Sequence, residues 1–390
     1  MHPKDVSNKK VSYKNIKPTL LCFSHLRWNF VFQRPQHLLS RFANDYNILY
    51  VEEPIYIEGN KASLAINVVK TQNVKVLAPQ IPTWFSADMD KKAQFHLIRD
   101  FLINNNIKVC ILWYYTPMSI QWSKNIPAKL TIYDCMDELS AFKFAPPEIK
   151  KCEQELLSRA NIVFTGGISL YKAKCSQHDY VYLFPSSVDT IHFIKARNNL
   201  SVPHDQKPIP YPRLGFYGVV DERFDIDLLA GLADKRPDWN FIILGPIVKI
   251  DPATLPQSKN IYYLGPKNYE ELPYYLSSWD IALILFAINE STKYISPTKT
   301  PEYLAGGKPV VSTPIQDIVN TYKNTQLVRI ANPQNLTEFE TAILSALADA
   351  KTPSNIYKEA DLLLKGLSWN NTYLAMREII LKAQTRKEVA

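Results

Sequence analysis

The sequence lacks long apolar runs, although 46% of its 390 residues are hydrophobic. No segment reaches the roughly 18 apolar residues that a membrane-spanning helix requires, so the composition predicts a globular protein. The first stretch, residues 1–17, is polar and lysine-rich and has no apolar core typical of a secretory signal. We expect a flexible basic tail there and a cytoplasmic protein.

Cysteine is also scarce, with five residues in the chain. An odd number does not fit a closed set of disulfides, and the spacing does not match paired metal ligands. Cys22 and Cys110 lie inside strand-like segments, where cysteine acts as a small apolar residue. The cysteines therefore indicate a reducing compartment and predict no metal site of their own.

The chain carries a formal net charge of +8, which favours anionic partners. Beyond the tail it has no compact Lys/Arg cluster, no basic stripe interleaved with aromatic residues and no nucleic-acid-binding motif. We therefore predict that nucleic acid is not a partner. Two interpretations of the charge remain: peripheral contact with an anionic membrane, or solubility alone.

Short apolar runs alternate with helical patterns along the whole chain, which predicts an α/β protein with doubly wound parallel sheets. A polar segment with several prolines, residues 197–212, predicts a linker, and the alternation restarts after it. We expect one Rossmann-like domain at residues 18–196 and a second at residues 213–367. An amphipathic segment, residues 368–390, ends the chain.

A polar turn containing Ser296, Thr298 and Lys299 follows the apolar run at residues 281–288 and precedes a short helical pattern at residues 302–305. A hydroxyl-rich turn that leads from a parallel strand into a helix suits a phosphate group. Free backbone N–H groups and the positive end of the helix dipole face the anion there. The alternative is an ordinary strand-to-helix loop with a solvated lysine, and local geometry leaves both open.

Residues 297–313 resemble the nucleotide-sugar motif of GT-B glycosyltransferases, in particular retaining enzymes of glycosyltransferase family 4 and their bacterial surface-polysaccharide relatives. The resemblance implies two Rossmann-like domains facing a cleft, with the last helix crossing back onto the first domain. It also implies that Glu302 holds the ribose of the donor. The family has another glutamate eight positions earlier, where this chain has Tyr294; Glu290 lies nearby but out of register.

Further segments of the second domain match the family in order. The turn after its first strand contains Gly218 and Arg223, and the resemblance implies that Arg223 grips the donor diphosphate. The alternative is a surface arginine paired with Glu222 or Asp225. Gly245 ends a strand expected beside the nucleotide, and Leu264 lies in a segment whose backbone is expected to face the base.

In the first domain the family's glycine-rich turn is replaced by a segment that offers His25, Arg27 and Arg34. These side chains are candidates for contact with acceptor or donor phosphate, although a histidine after a strand is also commonly structural. This segment resembles the corresponding sequence of a bacterial subgroup linked to capsule, exopolysaccharide and teichuronic-acid synthesis. Asp137 follows a later strand and is the candidate carboxylate facing the acceptor, which an inverting reaction would need as a base.

The sequence therefore predicts a metal-independent GT-B glycosyltransferase without a cofactor, which uses a UDP- or GDP-type sugar donor. The expected acceptor is lipid-linked or a polysaccharide at the inner face of the membrane, and the expected reaction is retaining. Lys299, Arg223 and Asp137 are the expected catalytic residues. The alternatives are an inactive GT-B subunit that only binds, and a sugar-nucleotide epimerase.

Overall fold

A computed structural model describes the backbone of residues 17–389 and the side chains of residues 17–386. The predicted flexible tail therefore lies, except for Lys17, outside the described residues. Within them, no helix combines the length and apolarity needed to cross a membrane.

Two mixed or parallel sheets organise the chain. The strands of the first are β1 (Thr19–Phe23), β2 (Asn47–Val51), β3 (Ile55–Ile57), β4 (Ser63–Val69), β5 (Val74–Pro82), β6 (Val109–Tyr114), β7 (Leu130–Cys135), β8 (Ile162–Thr165) and β9 (Val181–Leu183). Those of the second are β10 (Arg213–Tyr217), β11 (Asn240–Leu244), β12 (Ile261–Gly265), β13 (Ile281–Ile284), β14 (Val310–Ser312) and β15 (Val328–Ile330). The first sheet has the order β3-β5-β2-β1-β6-β7-β8-β9, with β4 paired antiparallel to β5, and the second has the order β12-β11-β10-β13-β14-β15.

Helices connect the strands. They are α1 (Arg34–Phe42), α2 (Ala87–Asn104), α3 (Ile120–Ser123), α4 (Ile149–Arg159), α5 (Ile168–Lys174), α6 (Thr190–Phe193), α7 (Ile226–Lys235), α8 (Leu272–Ser277), α9 (Lys299–Ala305), α10 (Gln316–Tyr322), α11 (Leu336–Asp349), α12 (Pro353–Leu363) and α13 (Trp369–Val389). The central strands β1, β10 and β13 are buried along their whole length. Parallel strands covered by helices on both faces need such continuous apolar sequences.

The last helix crosses back onto the first domain, as the resemblance implied. Trp369, Met376 and Ile380 of α13 lie in a core cluster of the first domain. Tyr373 and Arg377 of the same helix donate hydrogen bonds to Asp45, at 2.5 Å and 3.0 Å. The helix therefore ties the end of the chain to the first sheet.

The segment after β9 packs with the second domain. Val188, Phe193 and Ala196 lie in the core cluster built around the second sheet, and α6 contacts α8 and α9. Packing thus divides the chain before Val188, upstream of the boundary that the sequence placed at residue 196. The reason is that the apolar side chains of this short segment pack against elements that come later in the chain, including α8, α9 and Tyr217 of β10.

Candidate active site

A cavity of about 140 Å³, here called the central cavity, lies where the carboxyl ends of strands from both sheets meet. The first domain contributes the segments after β1 and β7, and the second contributes those after β10 and β13. The predicted residues that line it are Arg34, Asp137, Gly218, Arg223, Ser296, Thr298, Lys299 and Glu302. Most of the predicted catalytic and donor-binding side chains are therefore brought together.

Lys299 begins α9 and points into the packed floor of this cavity. Its Nζ lies 5.8 Å from the ring centroid of Phe216 and 5.7 Å from that of Phe286. Burial, followed by the charge of Arg223, lowers the pKa of Lys299 to about 8, while nearby carboxylates act in the opposite direction. Within residues 17–386 it forms no ion pair, so the site holds a poorly solvated cation without a direct anionic partner.

Two glycines make room for this lysine. Gly218 has a φ of +147°, and a Cβ there would overlap the Lys299 side chain. Gly245 has a φ of +137°, and a Cβ there would overlap the carbonyl oxygen of Gly218. Both positions combine left-handed backbone with close approach, which only glycine tolerates without strain.

Glu302 lies one helical turn after Lys299 and is 9% exposed. Its Oε2 accepts a hydrogen bond from the Tyr217 hydroxyl at 2.9 Å. Burial raises the pKa of Glu302 to about 7, although this hydrogen bond and Lys299 favour the charged form. The cavity thus contains a partly shielded carboxylate that could accept hydroxyl groups from a ligand.

Arg223 forms a bidentate ion pair with Asp221, with N–O distances of 2.6–3.1 Å. Its guanidinium also lies 5.2 Å from the ring centroid of Phe142, a residue of the first domain. Burial opposes its charge, but the hydrogen bonds and charge of Asp221 raise the pKa of Arg223 overall. The partner is neither of the neighbours that the sequence suggested, Glu222 or Asp225.

Asp137 follows β7 and faces the same cavity from the first domain. Burial raises its pKa to about 6, while the charges of Arg223 and Lys299 act in the opposite direction. The structure thus places a carboxyl group opposite the two cations of the second domain.

The other first-domain candidates, Arg27, Arg34 and His25, differ from Asp137 in their hydrogen-bond partners and positions. Arg27 donates hydrogen bonds to Glu52 and to two backbone carbonyls, and Arg34 pairs with the buried Asp134 at 2.8–3.1 Å. His25 does not line the central cavity; burial and Lys249 lower its pKa to about 4, and its buried Nδ1 has no hydrogen-bond partner in the described residues. The guanidinium groups of both arginines are therefore already occupied by protein oxygens.

Tyr294 and Glu290 lie away from Glu302. Both line a separate cavity of about 550 Å³, here called the distal cavity. Tyr294 packs against a core cluster of the first domain, and the Glu290 side chain is 81% exposed beside Lys293. Neither residue lines the central cavity. Tyr294 is used in packing between the domains, and Glu290 points to solvent.

A third cavity of about 430 Å³ adjoins the central one and shares Tyr217, Gly218 and Tyr269 with it. Gly245 lines it, whereas Leu264 packs against the core of the second domain. This adjacent cavity extends the cleft along the ends of β10, β11 and β12.

Three residues of the site were missed by sequence reasoning. Tyr217 binds Glu302, Asp221 binds Arg223, and Tyr269 stacks on Phe32 across the domains with ring centroids 4.5 Å apart. Tyr217 and Asp221 flank the predicted turn at Gly218, so their position after a parallel strand was a usable signal.

Two carboxyl groups of the central cavity, the buried Glu302 and the half-buried Asp137, predict a pH-dependent stability of the protein without ligand. Burial raises the pKa of Glu302 from 4.5 to about 7 and that of Asp137 from 3.8 to about 6. Protonation therefore favours the folded state, and this contribution is lost as pH rises towards the folded-state values. We expect the contribution of these two groups to the free energy of unfolding to fall between about pH 4 and pH 7, by at most about 1.4 kcal/mol per pH unit for each group. His25, whose pKa is lowered to about 4, contributes with the opposite sign in this range, so the test compares wild type with a variant.

Glu302→Gln separates the two contributions in urea denaturation. Above about pH 6 the Asp137 contribution is complete, so the difference in slope between wild type and variant up to about pH 7 comes from Glu302. Lys299, with a pKa of about 8, titrates above that window. Equal slopes for wild type and variant would contradict the shifted Glu302 pKa.

No protein-family model matches the chain. A curated relative from Bacillus subtilis (strain 168), named "Putative teichuronic acid biosynthesis glycosyltransferase TuaH", is 26% identical over 222 residues. The match covers 52% of this chain and 55% of the relative, so the chain spans about half the length of the curated relative it matches.

Solved structures match over nearly the whole chain. Sucrose-phosphate synthase from Thermosynechococcus elongatus is 13% identical with a TM-score of 0.67, covering 94% of this chain and 99% of that one. Anabaena Alr3699/HepE in complex with UDP and glucose is 13% identical with a TM-score of 0.66, covering 93% and 99%. A glycosyltransferase from Rickettsia africae ESF-5 is 14% identical with a TM-score of 0.64, covering 94% and 98%. The chain therefore has the two-domain GT-B fold, which confirms the fold that the sequence resemblance implied.

Proposed function

We propose that the protein is a glycosyltransferase that moves a sugar from a nucleotide-diphosphate donor to a lipid-linked or polysaccharide acceptor in cell-surface polysaccharide synthesis. The observation that carries the proposal is Lys299: a half-buried cation without an anionic partner among residues 17–386, at the start of a helix in the interdomain cavity. Such a group suits a ligand that brings its own negative charge.

The leaving diphosphate would lie between Lys299, Arg223 and the turn at residues 296–298. Thr298 caps α9 without a side-chain hydrogen bond, so the first N–H groups of the helix are available to an anion. Negative charge grows on the diphosphate as the glycosidic bond breaks, and fixed cations in a water-poor site stabilise that charge. Two side-chain cations at this point make the reaction independent of a metal ion.

The nucleoside would extend into the adjacent cavity. Glu302 accepts hydrogen bonds from the ribose hydroxyls, replacing part of the interaction that now comes from Tyr217. The base lies towards Gly245, and the main chain near Leu264 supplies its polar contacts. UDP- or GDP-type donors both fit this arrangement.

The acceptor would approach from the first domain, opposite the diphosphate. In a retaining reaction the departing phosphate takes the proton of the attacking hydroxyl, and Asp137 positions that hydroxyl instead of acting as the base. Domain closure excludes water and so limits hydrolysis of the donor. A lipid-linked acceptor places the enzyme at the inner membrane face, which the net charge of +8 favours.

A panel of nucleoside diphosphates and their sugars tests the proposal by thermal shift. A ligand at about 100 times its dissociation constant should stabilise the protein by about 2.7 kcal/mol. We expect that stabilisation with uridine or guanosine diphosphates and with the corresponding sugars. No shift with any nucleotide would reject a donor site and favour an inactive subunit, whereas turnover of the sugar nucleotide without an acceptor would identify an epimerase.

A further inference from the structure

A carboxylate of the second domain caps a helix of the first. Asp317, in the first turn of α10, is 3% exposed. Its Oδ1 accepts hydrogen bonds from the Ser169 backbone N–H at 3.0 Å and from the Ser169 hydroxyl at 2.5 Å. Ser169 lies in the first turn of α5, whose N-cap residue, Gly167, has no side chain. Asp317 thus supplies, from the opposite domain, the cap that this helix lacks.

Gly167 allows Asp317 to lie close to the turn at residues 296–298, which would hold the diphosphate. A Cβ at Gly167 would overlap Asp317 Oδ2 and would lie 2.8 Å from the Cβ of Ser296. Ser296 lines the central cavity. Because the three residues are in close contact, a shift of the first domain relative to Asp317 also changes the surroundings of Ser296.

The Asp317 carboxylate has few other polar partners. Within residues 17–386 its Oδ2 has no hydrogen-bond partner, and no cationic side chain forms an ion pair with it. The positive end of α5 and the two Ser169 donors are therefore what compensates the buried charge. Opening the cleft would break both hydrogen bonds at once.

We propose that Asp317 is a positioning residue that holds the first domain closed against the 296–298 turn. It reaches the donor only through Ser169, Gly167 and Ser296, and its role is to keep the two halves of the central cavity together. The expected effect on kcat rests on the proposed function. The expected effect on the radius of gyration rests on the interdomain contact alone.

Asp317→Ala tests the contact by small-angle X-ray scattering and by kinetics. We expect a larger radius of gyration than in wild type, both alone and with UDP. We also expect kcat for transfer to fall by about tenfold or more, because closure assembles the site. The dissociation constant for UDP should change by less than about twofold, since the second domain supplies most nucleotide contacts. Asp317→Asn keeps an oxygen for Ser169 and should restore most of kcat.

Three further variants complete the design. Ser169→Ala removes the hydrogen bond that the Ser169 hydroxyl donates to Asp317. It should increase the radius of gyration and lower kcat, but by less than Asp317→Ala. Asp227→Ala, at an exposed position on α7, and Ser176→Ala, exposed just beyond α5, are the matched controls and should behave as wild type.

Unchanged compactness and kcat in Asp317→Ala would overturn the inference. An equal loss of UDP affinity and kcat would overturn it as well, because that pattern indicates a merely structural role in the second domain. If wild type binds no nucleotide, the proposed function fails, and the scattering comparison of Asp317→Ala with Asp227→Ala still decides whether the contact closes the domains.

Discussion

Replacing Lys299 with alanine is expected to lower kcat/KM for sugar transfer by about 100- to 1000-fold, the usual effect of removing one group that stabilises developing charge. The physical reason is its position: Lys299 is half-buried in the wall of the central cavity, where its charge is less screened than at the surface and acts at short range on a bound diphosphate. Because its Nζ forms no ion pair within residues 17–386, the fold should survive the change. Steady-state kinetics with the donor found in the nucleotide panel measures the effect.

Lys293→Ala is the matched control. Lys293 lies in the same segment of the second domain but is 56% exposed and lines the distal cavity. We expect its kcat/KM to stay within about twofold of wild type, since solvent-exposed charges contribute little. Similar losses in both variants would show that the overall positive charge, rather than the lysine of the central cavity, accounts for activity.

Replacing Arg34 with alanine is expected to destabilise the first domain by about 3–5 kcal/mol, the typical cost of leaving one partner of a buried ion pair alone. Arg34 is 1% exposed and Asp134 0%, and the two are joined by several hydrogen bonds. Arg34 also donates to the carbonyl of Phe184, so the pair links β7 to the segment after β9. Urea denaturation, followed by a probe in the first domain, measures the loss.

The double variant Arg34→Met, Asp134→Leu separates the two explanations for this arginine. If the pair is structural, the double variant should recover most of the lost stability, because no unpaired buried charge remains. A single Arg34→Ala variant of normal stability but without activity would instead support the contact with acceptor or donor phosphate that the sequence suggested.

The alternation of strands and helices was readable from sequence because parallel strands buried on both faces need continuous apolar runs, as in β1, β10 and β13. The antiparallel strand β4 was not predicted. Its residues are mostly half-buried or exposed at the edge of the sheet, so no continuous apolar run marks it.

The part of the site that lies in one continuous segment of the chain could be predicted from the sequence. The turn at residues 296–298 and the first turn of α9, with Lys299 and Glu302, lie within a single short segment, and these residues meet in one cavity. The partners of Arg34 and Ser169 could not be predicted, because Asp134 lies 100 residues from Arg34 and Asp317 lies 148 residues from Ser169. Only the packing within the first domain shows the partner of Arg34, and only the packing between the domains shows the partner of Ser169.

The most direct test of the central claim compares a nucleoside diphosphate with its monophosphate by calorimetry, on wild type and on Lys299→Ala. A hydrogen bond to a charged group contributes about 1.5–3 kcal/mol, or roughly 10- to 150-fold in affinity. We predict that wild type prefers the diphosphate by at least that factor and that the preference falls by about that factor in Lys299→Ala, where Arg223 and the turn at residues 296–298 remain. Equal affinities of wild type for the two nucleotides, or an undiminished preference in Lys299→Ala, would contradict a diphosphate site at Lys299.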